Sequence, residues 1–179
     1  MRAGRSGRAH DAHGFTLLEL ALVLALIGLI ATLVVPRLDV LSGAELDSTS
    51  RSISQRIRYL REEAARRGVW IRMIVEPANG IVRAEEGVES LEGWSFVPGE
   101  GPWYQPLRIP ESLRVDLDGP GVRATPEGYP AALFAADGFA DPAAFRLVDE
   151  SGRVVSILVE PARTRPRIVD GAFQAGQIP

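Results

Sequence analysis

The spacing of apolar and polar positions changes twice along this chain, and each change marks a different element. Residues 15–35 (FTLLELALVLALIGLIATLVV) carry only three polar side chains, Thr16, Glu19 and Thr32. A run that is apolar on every face predicts a helix with no solvent side. In helical form it extends roughly 32 Å, close to the ~30 Å hydrocarbon core of a bilayer. The run 15–35 is therefore predicted to be a transmembrane helix. Pro36 follows it. With no N–H, and a ring that meets the carbonyl one turn back, this residue is predicted to end or kink the helix. Helical spacing then resumes. Leu46, Ile53, Ile57, Leu60 and Ala64 recur at three, four or seven residues, as a narrow apolar stripe. Glu62–Arg66 and Glu63–Arg67 stand in the favourable i,i+4 order, and Gly68 is placed to stop the helix in a left-handed conformation. Residues 36–68 are thus predicted to continue one long helix amphipathically, bent near Pro36 and loosened near Ser42-Gly43.

From Val69 the period is two. In 69–76 (VWIRMIVE), Val69, Ile71, Met73 and Val75 make one face and Trp70, Arg72, Ile74 and Glu76 the other. Asn79-Gly80 then separates this run from Ile81–Ala84, a hairpin signal. Residues 87–106 are rich in Gly and Pro and are predicted to be mostly loop, with a short strand at 94–97. Leu113, Val115 and Leu117 alternate with Arg114, Asp116 and Asp118, a half-buried strand. After a Pro/Gly loop at 119–130, strands are predicted at 131–135, 144–149 and 153–160, the last two joined by Glu150-Ser151-Gly152, with an irregular tail at 161–179. A helix followed by antiparallel strands gives an α+β fold, the amphipathic helix laid on the sheet. Residues 69–179 form its β-rich part.

Composition narrows the chemistry. All 20 basic residues are Arg, against 23 acidic ones, and there is no Cys. The two His are His10 and His13. Disulfides, Cys-ligated metals and thiol nucleophiles are excluded, and a His-based triad has few routes. Phosphate-loop, dinucleotide, zinc-protease and nucleophile-elbow motifs are absent from the sequence. Glu85, Glu86 and Glu89, or Asp116 and Asp118, could offer oxygen to Ca²⁺, but neither group matches a calcium loop. No catalytic residue, metal or cofactor is expected. Arg2, Arg5 and Arg8 precede the apolar run, whereas Arg37, Asp39, Glu45 and Asp47 follow it without basic excess. The positive-inside rule places the N-terminus in the cytoplasm and the rest outside.

Secretory cleavage at Ser42-Gly43-Ala44 fits poorly, because the site lies beyond a proline and the apolar stretch is too long and carries a carboxylate. That carboxylate, Glu19, is costly in a membrane, on the order of 2.5–3.5 kcal/mol near the centre, and so needs a partner. It could snorkel to the headgroups. If the chain is cut before Phe15, however, Glu19 lies about one turn from the new amine, its own or a neighbour's, and such a pair fixes axial register between apolar helices.

Gly14-Phe15-Thr16-Leu17-Leu18-Glu19-Leu20, followed by the apolar run and Pro36, resembles the class III signal of type IV pilins and type II secretion pseudopilins. The resemblance implies a cytoplasmic leader 1–14, cut by prepilin peptidase between Gly14 and Phe15. It also implies N-methylation of Phe15, assembly through Glu19 and a helix kink at Pro36. The domain is similar to the minor pseudopilin H family (GspH), which includes the minor pilin FimT. The residues that carry this likeness are Leu60–Gly68 leading into a strand, and Leu133–Gly138 leading into the hairpin Phe145–Glu160. Members often have Thr-Gly-Arg after that hairpin, where this chain reads Ala162-Arg163-Thr164-Arg165-Pro166-Arg167.

The resemblance implies a type IV pilin-like fold in a single-pass protein of the bacterial inner membrane with a periplasmic domain. The expected function is that of a minor pseudopilin at or near the tip of a type II secretion pseudopilus. Its expected partners are prepilin peptidase, other pseudopilins through the N-terminal helix, and the inner-membrane secretion platform. The alternative is a FimT-like minor pilin that binds DNA through Arg163, Arg165 and Arg167, since Arg forks suit phosphate oxygens. Glu160 and Asp170 flank that cluster and the chain is acidic overall, so DNA is not the expected partner. The helix arginines Arg51, Arg56, Arg58, Arg61, Arg66 and Arg67, with Glu among them, are expected to form a solvated or subunit-facing surface. Loss of residues 1–14 would remove both His and leave a chain more acidic than the formal -3 of the whole. Intact-mass analysis of the protein from cells with active prepilin peptidase is expected to show a chain that begins with N-methyl-Phe15. Retention of residues 1–14 would refute this.

Overall fold

The computed structural model describes residues 17–90, 93–161 and 163–173, with the side chains of 31–42 and 90 outside the description. Gly14 and Phe15 lie outside the described residues, as does the side chain of Pro36. The chain divides into two compact units, Met1–Leu38 and Asp39–Pro179. The helix α1, Leu17–Arg67, has 51 residues and contributes to both. It continues as α-helix through Pro36 and Ser42-Gly43, so Pro36 does not end it. One proline costs about 3 kcal/mol in a helix interior, and the many hydrogen-bonded turns on either side outweigh that.

In the second unit the helical stripe is what packs. Leu46, Ile53, Ile57, Leu60 and Ala64 are all fully buried. The helix ends as its sequence predicts: Gly68 has φ 67°, and the Val69 N–H donates to the Ala64 carbonyl at 3.1 Å. This is the six-to-one bond of a left-handed C-terminal cap.

The strands are β1 (Ile71–Glu76), β2 (Ile81–Ser90), β3 (Gly93–Pro98), β4 (Leu107–Arg108), β5 (Leu113–Asp118), β6 (Arg123–Ala124), β7 (Pro130–Phe134), β8 (Ala143–Asp149), β9 (Val154–Val159) and β10 (Arg167–Asp170). One sheet has the order β3-β2-β1-β7-β6, with β4 also paired to β2; the other is β10-β9-β8-β5. All pairings are antiparallel. The expected hairpin forms with Ile71 opposite Glu86 and Glu76 opposite Ile81, closed by a 3-10 turn at Pro77–Asn79 and by Gly80. Ile71, Met73 and Val75 join Leu113, Val115, Phe145, Leu147, Val155 and Ile157 and the helix stripe in one core. Strand β5 has the strict alternation expected of it, with Leu113, Val115 and Leu117 buried and the residues between them exposed.

Three segments differ from expectation, one of them the two-residue strand β6, which lies inside the stretch 119–130 expected to be loop and pairs with β7. Residues 87–90 continue β2, which pairs with β3 as a hairpin from Glu85↔Pro98 to Ser90↔Gly93. The short strand expected at 94–97 is found within β3, whereas residues 87–90 of β2 carry no alternating apolar pattern to announce them. Likewise β10 lies in the segment expected to be irregular. It pairs with β9 from Arg167↔Leu158 to Asp170↔Val155, while its own side chains stay mostly exposed. Backbone pairing alone leaves little trace in hydrophobicity.

Leu60→Ala is expected to cost about 2–5 kcal/mol through lost burial and the cavity left behind. Urea unfolding of the detergent-solubilised chain, followed by tryptophan fluorescence, measures it.

Candidate functional site

In the first unit, every described side chain from Leu17 to Ile30 is exposed. Leu17 is 86% exposed and Leu29 61%, so no face of this segment is covered. Glu19 is the acidic residue of the first turn, where the helix dipole favours a carboxylate. Among the described residues no helix is long and apolar enough to cross a membrane. Of the apolar run, only residues 17–30 have described side chains. An apolar surface of this extent requires cover from lipid or from other helices.

In the second unit the helix arginines separate into two kinds. Counting ~100° per residue, Arg56 and Arg61 stand on opposite shoulders of the apolar stripe. Both are buried, at 8% and 5% exposed, which corrects the expectation that they form part of a solvated surface. Arg61 donates from Nε to the Gly138 carbonyl at 2.5 Å and from Nη1 to the Glu160 carbonyl at 2.9 Å. The carbonyls of Pro161 and Arg163 also accept from its guanidinium, and Arg56 likewise donates to the carbonyl of Gln105. Burial lowers the pKa of both side chains from the ordinary arginine value. The carbonyl dipoles offset part of the lost hydration, and the planar guanidinium has enough donors to serve four acceptors at once. Gly138 makes room for this contact: its φ is 83°, and a Cβ there would lie 3.1 Å from the Ala65 side chain. The Asp137-Gly138 turn is stabilised by the Phe139 N–H, which donates to Asp137 at 2.8 Å.

Arg66 and Arg67 remain outside. Arg66 pairs with Glu63 at 2.6 Å rather than with Glu62. Arg67 reaches Glu86 at 2.6 Å, with Glu63 at 3.8 Å. Next to Arg56, the turns at 99–106 lie on the helix through Trp103, whose ring stacks on Tyr59 at 5.0 Å between centroids. Tyr104 is buried, and its hydroxyl has no hydrogen-bond partner among the described residues. Burial, with a smaller contribution from Glu86, pushes its pKa up to about 12.

The cluster Arg163, Arg165 and Arg167 is not a uniform basic patch. The Glu160 carboxylate takes Arg163 on one oxygen at 2.8 Å and Arg167 on the other at 3.1 Å. Arg165 stands between them without a partner among the described residues. Three of the carboxylates considered for Ca²⁺, Glu85, Glu86 and Asp118, are similarly engaged. Glu85 binds Arg72 at 2.5 Å and also pairs with Arg83, while Arg83 reaches Glu76 at 2.7 Å. Asp118 faces Arg146 at 3.5 Å. Among the described residues no group of three or more acidic or His side chains is arranged to hold a metal ion. Sequence reasoning missed the burial of Arg61 and the pairing of Glu160 with two arginines at once. The shoulder position of Arg61 was legible, but the carbonyls it meets come from turns 77 and 99 residues away.

The family of the type II transport protein GspH matches residues 49–162. The prokaryotic N-terminal methylation motif matches residues 10–35. Two solved structures of the minor pseudopilin EpsH from the type II secretion system of Vibrio cholerae have a similar fold. One is 14% identical with a TM-score of 0.54, covering 70% of this chain and 97% of that one. The other is 15% identical with a TM-score of 0.53, covering 73% and 98%. No match was found among the curated proteins.

Arg61→Leu strands several buried carbonyls and is expected to destabilise the fold by on the order of 2–4 kcal/mol. Arg61→Lys is expected to recover only part of this, since an ammonium has three donors and no planar fork. Urea midpoints of the two variants against the parent chain test both expectations.

Proposed function

The chain belongs to the family of the type II transport protein GspH, and we propose the following reading of how its parts serve that family's work. It is a minor pseudopilin of type II secretion with an α+β, type IV pilin-like fold, and it carries the methylation motif that marks a substrate of prepilin peptidase. In this reading the peptidase removes residues 1–14 between Gly14 and Phe15, and Phe15 is N-methylated. Residues 15–35 anchor the chain in the bacterial inner membrane, with the leader in the cytoplasm and residues 36–179 in the periplasm. The helix 36–68, with Pro36 as its kink, carries the β-rich domain 69–179. The protein enters the pseudopilus at or near its tip, from the inner-membrane secretion platform, by packing its N-terminal helix beside those of other pseudopilins.

The observation that carries this reading is the coincidence on one helix of two opposite surfaces. From Leu17 to Ile30 all described side chains are exposed and, apart from Glu19, apolar or glycine. From Leu46 to Ala64 the same helix buries a single stripe within its own domain. The second segment is complete in itself, whereas the first requires neighbours. Glu19 is the one carboxylate in the exposed segment, and it suits pairing with an N-terminal amine of its own or an adjacent subunit. The DNA-binding alternative is disfavoured because Glu160 neutralises two of the three arginines it needs.

Glu19→Val is expected to leave membrane insertion intact and to reduce incorporation into the pseudopilus. Site-specific crosslinking to neighbouring subunits in cells measures it. Crosslinking at the parent level would count against the register role.

A further inference from the structure

Arginine is the only basic residue type in this chain, and most of its guanidinium groups in the second unit have an evident task. Arg61 and Arg56 hold backbone carbonyls. Arg66, Arg67, Arg72 and Arg83 are paired with glutamates. Arg58 and Arg165, like Arg51, Arg108 and Arg114, are not among these. Both are exposed, and neither has a partner among the described residues. They nonetheless come together: with Ser54, Gln55 and Pro166 they line one hollow of about 220 Å³.

Local structure accounts for this meeting. By their spacing at ~100° per residue Gln55 and Arg58 lie on the face of α1 that points away from the buried stripe, and half-buried Ser54 lies on its flank. Arg165 is brought there by the turn that follows β9. Both oxygens of Glu160 are already taken by the arginines two positions to either side of it, so no acid of that turn is left for Arg165. Glu62, one helical turn beyond Arg58, makes no ion pair with it among the described residues. The result is two guanidinium forks, a hydroxyl and a side-chain amide around one opening, with no carboxylate lining it. Guanidinium forks match the geometry of a carboxylate and can bind it in a bidentate way. Arginine is also the charged residue most favoured in protein interfaces.

We propose that this hollow is a docking site for an acidic side chain of a neighbouring pseudopilin, clamped between Arg58 and Arg165. The inference rests on the pseudopilin reading, in which subunits stand side by side. The helix that bears Ser54, Gln55 and Arg58 is also the one whose exposed apolar turns require neighbours. The apolar turns supply attraction without direction, and the clamp supplies the charge complementarity that selects one neighbour and one register. A single exposed ion pair would contribute little, but two forks around one carboxylate in a hollow are better placed to exclude water from it.

The test uses the full chain in cells that assemble the whole secretion machine. A photo-crosslinking amino acid replaces Gln55, and the captured peptide is identified by mass spectrometry. The expected product is an Asp- or Glu-bearing segment of another pseudopilin. Its yield is expected to fall at least tenfold when Arg58→Glu and Arg165→Glu are combined, and several-fold with the milder pair Arg58→Gln and Arg165→Gln. Reversing the captured acid to Arg is expected to restore capture by the Glu variants. Arg114→Glu, on the exposed side of β5, is expected to leave the yield unchanged. An unchanged yield in both double variants overturns the proposal, as does a captured segment without an acid, or capture of DNA in place of protein. A second crosslinker at Leu22 separates this failure from that of the underlying reading. Capture of pseudopilins at Leu22 but not at Gln55 overturns the clamp alone, and capture at neither position overturns the pseudopilin assignment as well.

Discussion

Five side chains on one face of α1, Leu46, Ile53, Ile57, Leu60 and Ala64, are completely removed from water, in one core with the inner faces of two antiparallel sheets. The rest of the domain is arranged around that contact. An antiparallel sheet with one apolar face must cover it. Here the helix stripe provides cover shared by both sheets, which fixes the rotation of α1 about its own axis. Once that rotation is set, Arg56 and Arg61 fall on the shoulders of the contact, where their long side chains can reach over its rim. Arg51 and Arg58 necessarily fall on the outer face. The cap at Gly68 then turns the chain directly into β1, whose Ile71 and Met73 enter the same core.

The same helix meets a different requirement nearer its N-terminus. Between Leu17 and Ile30 its described side chains are exposed, and it has no polar face to offer water. A minor pseudopilin is made of these two halves: a domain that completes its own core, and a helical segment that can complete its packing only in an assembly or in lipid. No active-site cavity is needed for this role. The polar chemistry of the domain goes instead into holding elements together. Restricting the basic residues to arginine has physical consequences there. The guanidinium of Arg61 bridges carbonyls from two separate turns, and that of Arg72 both pairs with Glu85 and lies 4.3 Å from the centre of the Phe96 ring. A lysine ammonium would make neither arrangement with the same geometry.

Legibility in the sequence followed burial closely. The stripe from Leu46 to Ala64, the alternation in β5 and the Gly68 cap were all readable, because each depends on the chemistry of local positions. The N-terminal methylation motif at residues 10–35 was readable for another reason, since it is a continuous run of sequence that needs no fold to be seen. The extension of β2 across 87–90 and the edge strand β10 were not readable. Both are held mainly by backbone hydrogen bonds, and such bonds are the same for every sequence. The cluster at 163–167 read as three equivalent arginines. Its division into two neutralised and one unpaired depends on the position of Glu160 relative to the turn, which hydrophobic period does not encode.

The sequence by itself determined the order of the elements that build the core, the face each presents to it, and the apolar N-terminal run with its single carboxylate. Periodicity and side-chain chemistry act over a few residues and need no knowledge of the fold. Only the tertiary structure decided which polar groups meet. That Arg61 holds the carbonyls of Gly138 and Glu160, and that Arg58 and Arg165 share one hollow, depend on contacts across about a hundred residues of chain. Such contacts form because the buried stripe brings those segments together. Arginines that look alike in sequence are thereby given separate roles, set by what the packed core places within their reach.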